Sequence, residues 1–126
     1  MDEKLKQFDG KSFLNLETFR KSGLGVKTPV WFTREAETIY VRTVAGSGKV
    51  KRIKNNGSVQ VTPCEANGTP NGEWIAAHAV EATDPETAEL VRRLLEKKYG
   101  AIQVKAFAAA TALRREQYTV LKIQVQ

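Results

Sequence analysis

The segment Ala45-Gly46-Ser47-Gly48-Lys49-Val50-Lys51-Arg52 gathers glycine, serine and cations in one place. A glycine turn exposes backbone N–H groups. A helix that starts directly after it points its positive end at the same spot, and cationic side chains can close over the top. That is the chemistry of an anion site. Each charge-assisted hydrogen bond to a phosphate contributes roughly 1.5–3 kcal/mol, so three of them hold a phosphate in competition with water. The spacing excludes a nucleotide-hydrolase P-loop: Thr43 stands where the pattern G-x-x-x-x-G-K-[ST] needs its first glycine, and Val50 where it needs a hydroxyl for magnesium. The plain alternative is a solvated helix face, the usual fate of a charge run. The glycines and Ser47 favour the anion site.

No nucleophile–base pair stands out elsewhere. His78 lies in "AAHAV", flanked by small apolar residues, and reads as structural. Cys64 follows Pro63 at a strand end and reads as a buried, inert thiol, since reactive cysteines need an electropositive, exposed setting. Glu35, Glu37, Glu65, Glu73, Glu81 and Asp84 fall near turns or strand ends, and nothing pairs them as an acid–base dyad. Trp31 and Trp74 suit a core and a ligand-stacking role equally. One Cys and one His cannot supply the four ligands of a Cys/His zinc site.

The bulk composition sets the frame. A chain of 126 residues, 41% hydrophobic and 27% charged, suits one soluble domain spanning 1–126 with a single packed core. The charged start "MDEKLKQFDGK" is no signal peptide, and the apolar stretch "AFAAATAL" is too short to span a bilayer. A single cysteine forms no intrachain disulfide, so a cytoplasmic location is expected. The formal charge of +6 admits nucleic acid or a small polyanion as partner. Its concentration in Lys49, Lys51, Arg52 and Lys54 points back to the opening segment.

The elements that must position these residues are mostly strands. Residues 12–20 alternate loosely and suit a strand or a short helix. "VKTPVWFT" (26–33) is β-branched and aromatic, hence a strand, with Pro29 arguing for an edge or a bulge. "REAE" reads as a turn, and "TIYVRTV" (38–44) as the hairpin partner. Val50 and Ile53 are three apart with the cations elsewhere, which suits a short amphipathic helix ended by Asn55-Asn56-Gly57. "SVQVTPC" (58–64), residues 73–83 and "QYTVLKIQV" complete the strands.

Two further helices follow from their signals. Asp84 is a good N-cap, Pro85 fits the first helical position, and Gly100 suits the stop. In 103–115, Val104, Phe107, Ala108, Thr111 and Ala112 share the spacing of a buried face. About six strands and two or three helices, with strands dominating the first half, predict a mainly β, α+β fold: a small antiparallel barrel with helical insertions.

The succession "KTPVWF", "IYVRT", "SGKVKRI" opening a short helix, and "VQVTPC" resembles the pyridoxamine 5′-phosphate oxidase-like split β-barrel superfamily. It is most similar to that group's small flavin or deazaflavin oxidoreductases, of the F420-dependent kind. The resemblance runs over nearly the whole chain, including "DPETAELVRRLLEKKYG". It implies a split β-barrel homodimer with two cofactor sites at the subunit interface and FMN or F420 as cofactor. By this resemblance Lys27, Thr28, Pro29, Val30 and Trp31 line the ring system, and Thr43, Ser47, Gly48, Lys49 and Arg52 hold the phosphate. Trp74 is a weaker candidate that reaches across the dimer. Lys27 stands where an arginine is common, which weakens a bidentate role, and Asn56-Gly57 replaces a frequent Asp-Pro. The extra C-terminal cationic and histidine residues of true pyridoxamine phosphate oxidases are missing, since the chain ends in "LKIQVQ".

The expected function is therefore hydride transfer between FMN or F420 and a small organic substrate. The carboxylated tail of F420 would meet Lys51 and Lys54. A carrier of the same fold that performs no turnover is the alternative. A basic nucleic-acid-binding module is a third reading, disfavoured because no recognisable motif accompanies the charge. Neither a membrane nor a metal is expected.

Overall fold

The computed structural model describes residues 3–126. In chain order the elements are α1 (Glu3–Lys6), β1 (Phe13–Phe19), β2 (Gly25–Trp31), β3 (Thr33–Glu35), β4 (Thr38–Val44), α2 (Gly48–Asn55), β5 (Ser58–Cys64), β6 (Ile75–Ala82), α3 (Pro85–Tyr99), α4 (Ala101–Leu113) and β7 (Tyr118–Val125). All strands join one antiparallel sheet in the order β2-β1-β5-β6-β7-β4-β3. The two edges, β2 and β3, are consecutive in sequence with only Phe32 between them, so the sheet must curl to bring its ends together. β2 also touches β4. The result is a half-barrel split along that seam, as the sequence predicts.

Strand alternation divides the packing into two layers. Leu14, Leu16, Ile39, Val41, Val61, Leu121 and Ile123 point into the barrel and are buried there. Val50 and Ile53 of α2 join the same core, so the short helix is held by its apolar side against the barrel. Tyr40 and Val120, on the outer face of β4 and β7, pack instead with Val91 and Leu95 of α3 and Val104 of α4.

Most signals place their elements correctly. Residues 12–20 resolve as a strand. Pro29 lies on edge strand β2, opposite Asn15, where a missing N–H is tolerated. Asp84 caps α3 by accepting the Thr87 N–H at 2.9 Å, Pro85 is its first residue, and Gly100 closes it with φ +96°.

Four readings need correction. "REAE" is only half a turn: Thr33–Glu35 forms β3 against β4, and Ala36-Glu37 alone makes the reversal, with Ala36 at φ +54°. No Gly or Asn marks the two reversing residues, which is why the sequence reading extends the turn over Arg34 and Glu35. The helix α1 was not anticipated, because four residues with one buried side chain, Leu5, carry no periodicity. Residues 73–83 are a strand only over Ile75–Ala82, leaving Trp74 before it. The apolar face read in 103–115 is partly wrong: Val104 and Thr111 are buried, but Phe107 is 52% exposed and Ala112 is exposed. α4 is apolar nearly all round, so its sequence cannot say which side faces the protein.

Candidate functional site

A cavity of about 330 Å³ opens at the seam, walled by Thr28, Pro29, Val30 and Trp31 of β2, Arg42 and Thr43 of β4, Lys49 of α2, Leu95, Phe107 and Tyr118. Six of the residues singled out by sequence thus meet here, from three elements. The sheet order explains why. β2 is an edge strand whose free side approaches β4, and α2 follows β4 directly.

The start of α2 is built as an anion site would be. Ser47 bonds back to the Val44 carbonyl through its N–H at 3.2 Å, with Gly46 at φ +78° making the turn. Ser47 is the N-cap, yet its hydroxyl accepts no N–H from the first turn of the helix. The Ser47 Oγ is buried without a hydrogen-bond partner. The first turn of α2 thus has no side-chain cap, as an anion site at a helix start requires. Asn15 and Thr62, the other two residues with such an atom among those described, oppose each other across β1 and β5.

The cations sit around this point. Gly48 has no side chain, and a Cβ there would lie 2.9 Å from an Arg52 guanidinium nitrogen. Arg52 can therefore fold over the first turn, where its Nε donates to the Thr18 hydroxyl at 2.7 Å. Lys49 reaches the cavity itself. Burial first, and the neighbouring Arg52 charge second, hold its ammonium below the ordinary lysine range. Ser47, Gly48 and Arg52 stand behind Lys49 rather than in the cavity wall. Lys54 is engaged elsewhere, 3.3 Å from Glu81, and Lys51 is exposed.

Trp31 both packs against its neighbours and lines the cavity. Its ring stacks on Tyr99 at 4.1 Å with planes 5° apart and meets the edge of Phe107 at 4.9 Å, while it also lines the cavity. Tyr99 is pinned in turn: its hydroxyl donates to the Ser12 carbonyl at 2.6 Å and accepts the Phe32 N–H at 3.1 Å. Burial pushes that phenol up to about 12.

Lys27 and Trp74 are not in the cavity wall. They are together instead, with the Lys27 ammonium 5.3 Å from the Trp74 ring. His78 is exposed on β6 and packs over Gly57, and Cys64 is buried with its thiol pushed up by burial. Among the described residues no three His, Cys, Asp or Glu side chains gather as a metal site, and no helix is long and apolar enough to cross a membrane.

Arg42, Leu95, Phe107 and Tyr118 complete the wall; none of them has a site role in the sequence reading, which places Phe107 only on a helix face. Leu95 and Phe107 look like ordinary helix residues and carry no signal. Arg42 carried one, a cation between Val41 and Thr43 in an otherwise uncharged strand. Burial lowers the affinity of its guanidinium for its proton, partly offset by Tyr118 beside it.

A curled antiparallel half-barrel with an uncapped helix end beside a cavity at its seam defines a split-barrel fold. The family model described as Pyridoxamine 5′-phosphate oxidase matches residues 1–126, and the chain belongs to that family. Solved structures agree on the fold. HutZ, the heme storage protein from Vibrio cholerae, superposes with a TM-score of 0.73 at 15% identity, covering 97% of this chain and 87% of its own. An FAD-binding protein from Mesorhizobium loti gives 0.64 at 14% identity, covering 97% and 84%. An F420 reductase gives 0.61 at 14% identity, covering 100% and 95%. Comparison with curated protein sequences gives no match.

Proposed function

We propose that the protein binds FMN or the deazaflavin F420 at the seam and acts as an oxidoreductase on a small organic substrate. The observation that carries this reading is the buried, unpartnered Ser47 Oγ at the uncapped start of α2, next to a cavity that Lys49 enters and no carboxylate lines. When bound, such a cofactor supplies hydride transfer at its ring. The chain's own residues need only bind, orient and exclude water. Ser47, Lys49 and the first-turn N–H groups take the phosphate, with Arg52 and Gly48 shaping the turn around it and Thr43 beside it. Thr28, Pro29, Val30 and Trp31 offer a wall for the ring, kept rigid by the Trp31–Tyr99 stack.

A homodimer belongs to this proposal, with Trp74 reaching toward the partner's site. Ile102 and Leu113, each 86% exposed on α4, are consistent with a further surface packing there. A cytoplasmic location is proposed with it, on the single, buried, free Cys64.

The visible spectrum of freshly purified protein, followed by mass spectrometry of anything bound, tests the reading, together with titration by FMN and by F420. Binding of one at micromolar levels is expected, and binding of neither overturns it. A carrier without turnover is the second reading, supported by the fold shared with a heme storage protein. Reduced cofactor offered to a panel of enones and quinones separates the two: oxidation above background is the enzyme's signature, and its persistent absence the carrier's.

A further inference from the structure

Two cations and no carboxylate line the seam cavity. Lys49 belongs to the helix end, but Arg42 does not. It lies on the outer face of β4, opposite Val120 of β7, and is half-buried. Its guanidinium carbon sits 4.0 Å from the centre of the Tyr118 ring, so one flat face is covered. Tyr118 is itself held, because its hydroxyl accepts from Thr111 at 2.8 Å. Among the described residues no carboxylate is within ion-pair distance of Arg42. Glu96, the acid whose charge acts on it, is bound by Arg92 at 2.8 Å, and Arg92 is also paired with Glu89. Arg42 and Tyr118 also line a second cavity of about 580 Å³, with Ala45, Glu81, Gln117 and Thr119, so the pair forms the partition between two spaces.

We propose that Arg42, oriented by Tyr118, is a second anion-recognition point, separate from the start of α2, and that it receives a ligand carboxylate. A guanidinium fixed on an aromatic face presents its remaining N–H donors in a plane, which matches the two oxygens of a carboxylate. The adjoining apolar wall of Val30, Trp31, Leu95 and Phe107 suits an organic acid with a flat apolar body. The inference rests on the reading of the cavity as a small-molecule site, but not on which cofactor fills it. The carboxylate has two possible sources, the tail of F420 or a separate substrate.

The test titrates the full chain with benzoate and with uncharged benzamide, followed by tryptophan fluorescence. Benzoate is expected to bind at least about tenfold tighter, as one charge-assisted contact implies. Arg42→Gln should abolish that preference, and Arg42→Lys should keep part of it. Thermal melts check folding, and Arg42→Lys carries the comparison if Arg42→Gln does not fold. Equal binding of the two probes by the wild type, or a preference that survives Arg42→Gln, overturns the proposal. F420 and FMN then identify the source. If F420 displaces benzoate and loses affinity in Arg42→Gln while FMN does not, the carboxylate is the cofactor's. If benzoate binds alongside the cofactor, it is a substrate's. A benzoate preference without binding of either cofactor would sink the cofactor reading and leave this one standing. The reverse result would sink this one alone.

Discussion

At the scale of single residues, Lys49 is the most informative side chain. It is half-buried, with its ammonium destabilised by burial and by Arg52, and an anion beside it would remove that penalty. Replacing it with alanine should weaken FMN or F420 binding by about 10- to 150-fold, the value of one charge-assisted bond, with the far-UV circular dichroism unchanged. Unchanged affinity would place the phosphate elsewhere. The pH dependence has a fixed sign. In the free protein Lys49 titrates below the ordinary lysine value, and a bound anion raises it again, so binding takes up a proton between the two. Affinity should be greatest below the free-protein value and fall by up to about tenfold per pH unit as pH rises through it. The dependence should flatten in Lys49→Ala, and an equally steep fall in that variant would assign the titration to another group.

At the scale of elements, α2 delivers Lys49 only because Val50 and Ile53 seat it in the barrel. Ile53→Ala should cost about 2–5 kcal/mol in urea unfolding, as for other buried large-to-small changes, and should weaken cofactor binding although Ile53 touches no ligand. A stability loss with intact affinity would show that the helix end does not depend on its packing. Tyr99 ties α3 to the end of β2 in a similar way. Tyr99→Phe removes the acceptor of the Phe32 N–H and should cost about 1–3 kcal/mol, read from the same unfolding curves. Local chemistry made these elements legible. Asp84-Pro85 and Gly100 mark α3, and the three-residue spacing of Val50 and Ile53 marks α2. β3 and α1 were not legible, since a turn without glycine and a single buried leucine leave no periodic trace.

At the scale of the whole molecule, the family relationship and the exposed apolar side chains of α4 bear on assembly. Sedimentation equilibrium should give twice the chain mass at micromolar concentration, and a monomer at all concentrations would remove the proposed dimer. The net charge of +6 bears on the nucleic-acid alternative. Mixed-sequence DNA is expected to show no binding at low salt, and a steep salt slope of binding would restore that reading.

The sequence by itself determined the antiparallel-barrel class and the glycine-serine-lysine turn that opens α2, where the anion site is proposed. Both are written in contiguous residues: alternation over four to eight positions, and a glycine-serine-lysine turn whose parts are neighbours in the chain. It also fixed that Arg42 points away from Val41 and Thr43, because strand parity is local. Only the tertiary structure decided what lies on that outer face. Curling brings β2 against β4, and α3 and α4 close over the outer side of β4 and β7. That packing turns Trp31, Leu95, Phe107 and Tyr118 into one wall and leaves Arg42 half-buried without a countercharge. Burial on a sheet face is set by which distant helix covers it, and no residue of the strand records that choice.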